Sequence, residues 1–231
     1  YLPKYFLHIN SGRIYCLPDC PLGIKENIDG IISLLIEQKN LALKLVAGSL
    51  GEGFYKLSVD SGSFYVNGKE VQESIMLKFL KKLDGYIVTE YLTSHEYVRK
   101  IYAGAPNTLR VMVINETGSN PILANAFMRF GTHYTGVVDN VSVGGICAIV
   151  NVENGQFYNP VQFVNHKIVD CKVHPDTKEV ISGVLPHWNL IKNTLLEISR
   201  YIPQIKYFGY DVVITEVGFK ILEINSLQDI K

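Results

Sequence analysis

The sequence predicts an α+β fold, and three observations carry that reading. Short apolar runs bounded by Gly, Asn and Asp recur along the chain, three segments show helical spacing, and helices fall between strands irregularly rather than in strict alternation. A parallel βαβ array is therefore not expected. At 231 residues the chain can bury a sizeable core without staples, as one large domain or two smaller lobes.

Taken in order, residues 1–23 carry Pro3, Gly12, Pro18 and Pro21 among short apolar runs and read as an extended connector with turns. In "NIDGIISLLIEQ" the spacing of Ile28, Ile31, Ile32, Leu35 and Ile36 predicts a one-sided helix. "LALKLVAG" then reads as a strand. "GFYKLSVDSGSFYVNG" alternates and turns at Asp60-Ser61-Gly62, which predicts an antiparallel hairpin. "EVQESIMLKFLKKL" is helical, with Val71, Ile75, Leu77, Phe79 and Leu80 as most of its apolar face. "GYIVTEYL", Gly85 to Leu92, is a buried-type strand that runs into the polar "TSHEYVRKIYAGAPN", where a lobe boundary is placed. Beyond it, "TLRVMVIN", "ILANAFMRFG", "GGICAIVNV" and the pair within "FGYDVVITEVGFKILEIN" read as strands, with one helix in "WNLIKNTLLEISRYI". The expected organisation is a lead-in over 1–40, a small lobe over 41–92 and a large lobe over 93–231.

Twenty-two basic and twenty-two acidic residues cancel, so no global field favours a nucleic-acid partner. No apolar run approaches the roughly 20 residues of a membrane span, and the first residues lack a signal-peptide layout. A cytoplasmic protein is expected. Four cysteines are too few and too irregularly placed for a disulfide framework, and the three residues between Cys16 and Cys20 depart from the two of a zinc knuckle. Free thiols are expected, with a Cys16/Cys20/histidine zinc site as the alternative.

Three constellations bear on chemistry. "LKLVAGSLGEGFYKL" places Lys44 on a strand ahead of Gly48, Gly51 and Gly53, so backbone N–H groups and a cation could meet phosphate oxygens. A glycine-rich hairpin turn has the same pattern. It is neither a Walker loop nor a dinucleotide fingerprint, because a strand and not a helix follows. In the terminal pair, a turn near Val217-Gly218 would set Asp211 opposite or nearly opposite Glu223, with Asn225 on the face of Glu223. Like charges so placed are costly unless a cation lies between them, and two carboxylates plus an amide oxygen suit magnesium. A polar strand edge is the alternative. Lastly, Arg110 and Arg129 lie in apolar strands, where each seeks an anion or a structural carboxylate partner, and "VDNVSVGG" adds Asp139, Asn140, Gly144 and Gly145.

In this order the strand lysine and glycine loop, "VTEYL", the two arginine strands, "DNVSVGG" and Asp211 with "LEIN" resemble the ATP-grasp superfamily over roughly residues 40–226. "NTLRV", "VDNVSVGG", "HPDTKEV" and "GYDVVIT...ILEIN" more narrowly resemble its sugar-transfer-associated members from polysaccharide gene clusters. The resemblance implies two α+β lobes with ATP between them and an N-terminal domain that is reduced or missing, since only residues 1–40 could represent it.

It further implies that Lys44 contacts the α and β phosphates and that Gly48, Ser49, Gly51 and Gly53 form a lid. Glu90, Tyr91 and Leu92 would recognise adenine at a hinge, Glu96 the ribose, and Asn140 would belong to the nucleotide site. Arg110 and Arg129 would be catalytic, and Asp211, Glu223 and Asn225 would hold magnesium. The implied activity is a magnesium- and ATP-dependent carboxylate–amine ligase that works through an acyl phosphate. Its acceptors would be small-molecule or sugar-linked, in polysaccharide or sugar-conjugate synthesis, with a glycosyltransferase as partner. A kinase acting on a hydroxyl and a non-catalytic ATP-binding partner of a glycosyltransferase are the alternatives. Leu45, where many relatives have Pro, departs from the pattern, as does the lack of an assignable second phosphate lysine beyond Lys25.

Overall fold

The computed structural model describes residues 1–48, 51–164 and 167–226. Ser49, assigned to the lid, lies outside them. The chain divides into two compact units, Pro3–Leu92 and Thr93–Lys231, the latter joined by Tyr1–Leu2.

The first unit is built on an antiparallel sheet. Strands β1 (Tyr5–Asn10), β2 (Arg13–Cys16), β3 (Asn40–Leu45), β4 (Tyr55–Asp60), β5 (Ser63–Val66), β6 (Lys69–Val71) and β7 (Tyr86–Glu90) are arranged β2-β1-β7-β3-β4-β5-β6. Residues 5–16, expected as a connector, thus supply two strands. Helix α1 (Ile28–Gln38) starts where the Asn27 side chain accepts from the Gly30 N–H at 2.9 Å, leaving Ile31, Leu34 and Leu35 facing the core. Gly30 is required by packing: a Cβ there would lie 1.8 Å from the Lys25 carbonyl oxygen. In α2 (Glu73–Leu80) the buried residues are Met76 and Leu80, one turn apart, while Ile75, expected in the apolar face, is exposed. These side chains close a core with Phe6, Leu7, Leu41, Leu43, Leu57 and Val88.

The second unit also centres on an antiparallel sheet. The short helix α3 (Glu96–Arg99) leads into β8 (Thr108–Ile114), β9 (Ile122–Phe130), β10 (Ile146–Val150), β11 (Gln156–Val164), β12 (Lys167–Asp170) and the two-residue β13 (Gly183–Val184). Helix α4 (Trp188–Arg200) and the hairpin of β14 (Tyr207–Thr215) and β15 (Gly218–Ser226) complete it. The order is β12-β11-β10-β9-β8-β14-β15, with β13 paired to β11. One face of the sheet is apolar: Leu109, Val111, Met128, Phe130, Ala148, Tyr210 and Val212 pack with Trp188, Ile191 and Leu195 of α4. Because side chains alternate along a strand, Arg110, Arg129 and Asp211 must point to the other face.

Both cores are leucine-, isoleucine- and valine-rich, and both sheets pack their helices on one side, so the architecture is α+β. No helix is long and apolar enough to cross a membrane among the described residues.

Candidate functional site

The terminal hairpin positions the site. β14 lies between β8 and β15, and Asp211 is in register with Arg110 on one side and Glu223 on the other. A bulge makes this possible. Val212 pairs with Ile221 on the core face, whereas Asp211 pairs with Glu223, so Leu222 is the extra residue and Glu223 is re-aimed away from the core. Without it Glu223, two residues from the core residue Ile221, would point inward.

Asp211 is 6 % exposed and lies between two guanidinium groups. Arg110 grips it bidentately, Nε to Oδ1 at 2.6 Å and Nη2 to Oδ2 at 2.8 Å, and Arg129 Nη2 reaches Oδ1 at 2.8 Å. Arg129 Nε also donates to Thr108 Oγ1 at 2.9 Å and lies 3.8 Å from Asp139 Oδ2. That oxygen in turn accepts the Thr108 backbone N–H at 2.6 Å. Sequence reasoning names Asp139 within "VDNVSVGG" without giving it a role and does not pick out Thr108: a threonine opening a strand is ordinary, and only the fold shows that a loop returns the Asp139 carboxylate to it.

Burial works against the Arg129 charge, but the carboxylates of Asp139 and Asp211 outweigh it and its pKa is raised. Burial also pushes the Asp139 carboxyl up, opposed by Arg129 and the Thr108 bonds. Cys147, in register with Arg129 on β10, has its thiol pushed up to about 11 by burial, partly offset by that arginine. It is not a thiolate at neutral pH.

The other expected residues are placed as follows. Glu223 is exposed and Asn225, in register with Gly209, is half-buried. Asn140 caps the turn Val141–Val143 by accepting the Ser142 N–H at 2.9 Å. Glu96 opens α3, and its backbone N–H donates to Glu216 Oε1 at 2.6 Å, so Glu216, outside every motif, caps that helix.

In the first unit, Lys44 is near the end of β3, in register with Ile87 and on the side opposite Leu41 and Leu43. The following loop needs its glycines: Gly51 and Gly53 have φ of 78° and 67°, and a Cβ at Gly53 would lie 2.4 Å from Leu45 Cδ1. A Cβ at Gly48 would also be too close, 2.9 Å from Leu45 Cβ. Glu90 is tied to Lys4, the residue ahead of β1, its Oε1 accepting the Lys4 N–H at 2.9 Å. The Tyr91 ring lies under Lys56 Nζ at 4.4 Å, and Leu92 is buried.

For magnesium, Asp211, Glu223 and Asn225 offer hard oxygen donors. Arg110 and Arg129 occupy three of the roughly four acceptor positions of the Asp211 carboxylate, which leaves one for a cation. No group of three or more His, Cys, Asp or Glu is gathered for a metal among the described residues. This does not conflict with magnesium, which commonly takes one or two carboxylates plus substrate phosphates. Cys16 and Cys20 are free thiols, and no zinc cluster is gathered around them among the described residues.

A strand lysine followed by a glycine loop between antiparallel strands, and a second α+β unit with an Arg–Asp–Glu row across its sheet, define an ATP-grasp fold. The sequence matches the sugar-transfer associated ATP-grasp family over residues 2–231, and the chain belongs to that family. Comparison with curated proteins gave no match.

Among solved structures, the chain is similar to the ATP-grasp ligase PsnB complexed with a minimal precursor (9 % identity, TM-score 0.45, 100 % of this chain and 48 % of that one). It is also similar to D-alanine–D-alanine ligase from Bacillus anthracis (11 %, 0.44, 100 % and 52 %). A third is the macrocyclase MdnC bound with precursor peptide MdnA from Microcystis aeruginosa MRC (12 %, 0.42, 99 % and 49 %). The chain spans about half the length of these structures.

Proposed function

We propose that the protein is an ATP- and magnesium-dependent carboxylate–amine ligase that works through an acyl phosphate, in cell-surface polysaccharide or sugar-conjugate synthesis beside a glycosyltransferase. The observation that carries this reading is the row Arg110–Asp211–Glu223 joined by Arg129 on the face of the sheet turned away from its core. Two guanidinium groups held by one buried carboxylate are fixed in orientation, so they can meet charge developing on a transferred phosphoryl group with little reorganisation.

Within this reading, Lys44 neutralises phosphate charge and the backbone N–H groups of the Gly48–Gly53 loop, Ser49 included, cover the triphosphate. Glu90, Tyr91 and Leu92 recognise the base. Glu96 and Asn140 contact the rest of the nucleotide. Glu223, Asn225 and the remaining acceptor position of Asp211 hold magnesium, which when bound supplies charge neutralisation between the phosphates. A substrate carboxylate oxygen attacks the γ phosphorus, ADP leaves, and an amine then displaces phosphate from the acyl carbon. No protein nucleophile is needed.

Incubation with ATP, magnesium and sets of uronic acids, amino acids and amines tests the proposal. ADP release that requires both a carboxylate and an amine supports it. A stable phosphorylated alcohol overturns it in favour of a kinase, and ATP binding without turnover in every mixture favours a binding module.

A further inference from the structure

A second polar assembly lies on the loop that leaves β9. His133 is four residues past Arg129, a chain reach of at most about 14 Å. The same loop returns Asp139 to Arg129 and Thr108 and is tied across by Thr132 Oγ1, which donates to the Gly144 carbonyl at 2.9 Å. The His133 ring is bound to Asp176, Nδ1 to Oδ1 at 2.5 Å, and its backbone N–H donates to Asp176 Oδ2 at 2.8 Å.

Asp176 is itself held in place. His174, fully buried, accepts the Asp176 N–H at 3.2 Å and the Thr177 N–H at 3.4 Å on Nδ1. With Nδ1 an acceptor, the ring proton is on Nε2, which donates to the Gly131 carbonyl at 2.9 Å. The Tyr102 ring stacks on His174 at 5.1 Å. Thus the "HPDT" histidine is a structural strut and the aspartate is its working end.

The carboxylate on Nδ1 fixes the neutral His133 ring with its proton on Nδ1 and its lone pair on Nε2. The side chain is 58 % exposed, and Nε2 has no partner among the described residues. The groups facing the ring are Asp176 and Tyr134, whose ring centroid is 3.8 Å away, with His174 and Tyr102 behind Asp176.

We infer that His133, oriented by Asp176, is the general base that takes the proton from the attacking amine. The inference rests on the ligase reading above. In the step, the amine nitrogen forms the C–N bond while the C–O bond of the acyl phosphate breaks and its electron pair leaves with phosphate. The proton released from nitrogen goes to Nε2, giving an imidazolium opposite the Asp176 carboxylate. A positioned base of this kind contributes about 100-fold or more.

The test compares two nucleophiles with the full protein, ATP, magnesium and a mixture of amino acids and uronic acids as carboxylate donors. Hydroxylamine captures acyl phosphates without catalytic help, although its nitrogen also loses a proton, so hydroxamate reports on acyl phosphate formation, whereas amide formation from glycine ethyl ester reports on the assisted attack. His133→Gln should reduce amide formation about 100-fold more than hydroxamate formation. Asp176→Asn, which keeps an acceptor for the His133 backbone N–H, should lower the same amide-to-hydroxamate ratio. Equal losses with both nucleophiles, or an unchanged ratio in Asp176→Asn, overturn the role of His133. Absence of hydroxamate with the unaltered protein overturns the ligase reading itself.

Discussion

Replacing Asp211 by Asn tests whether the two arginines depend on that carboxylate. The change keeps the volume and removes one charge from between two guanidinium groups, each within 2.8 Å of an oxygen. At the effective permittivity suited to such sites, charges about 4 Å apart interact by about 4 kcal/mol, so the two pairs amount to about 8 kcal/mol gross. Relief of the buried carboxylate's own desolvation offsets part of this, and breaking a buried pair from one side typically costs about 3–5 kcal/mol net. Trp188, the single tryptophan, is 4 % exposed in the core of the same unit, so its fluorescence reports on that unit's unfolding. With a urea slope of about 2 kcal/mol per M, the midpoint should fall by roughly 2 M. The exposed Glu223→Gln control should stay within about 0.5 kcal/mol of the unaltered protein. A midpoint for Asp211→Asn no lower than that of the control refutes the reasoning.

Two further outcomes follow from local geometry. Gly→Ala inside a helix normally stabilises by up to about 1 kcal/mol, but at Gly30 the added Cβ would meet the Lys25 carbonyl at 1.8 Å. A loss of about 1–3 kcal/mol in thermal melts is expected, and a gain would contradict the packing. Burial tends to raise the Asp176 carboxyl, yet the bonds from His133 prevail and hold it below the ordinary 3.8. A depressed carboxylate contributes stability above its unfolded value and loses it as pH falls through the folded one. The stability gap between the protein and Asp176→Asn should therefore be full at neutral pH and shrink below about pH 4; a gap constant with pH contradicts the assignment.

Much of the framework is legible in the sequence because it is local. The spacing of Ile28, Ile31, Ile32, Leu35 and Ile36 announces α1, and a turn at Val217-Gly218 brings Asp211 to within one position of Glu223. The bulge that makes this pairing is not legible, since a two-residue period alone would put Ile221 and Glu223 on one face. β11 is obscured because Pro160 lies within it and a register shift breaks its pairing with β10. β1 and β2 are hidden by the neighbouring prolines and by partners remote in sequence, β7 above all. At the site, the residue types of Arg110, Arg129 and Asp211 are visible, but their convergence over 101 positions of chain is not. Thr108, Asp139 and the His133–Asp176 pair are brought together only by the loops between strands.

The central claim is that the acidic end of this row holds the metal of a nucleotide site. Calorimetric titration of ATP with and without magnesium, on the unaltered protein and on Glu223→Gln, tests it most directly, since this exposed position leaves the buried ion pairs intact. The account predicts magnesium-dependent binding that Glu223→Gln weakens about tenfold or more. Equal affinity in the two proteins, or ATP binding indifferent to magnesium, would contradict it.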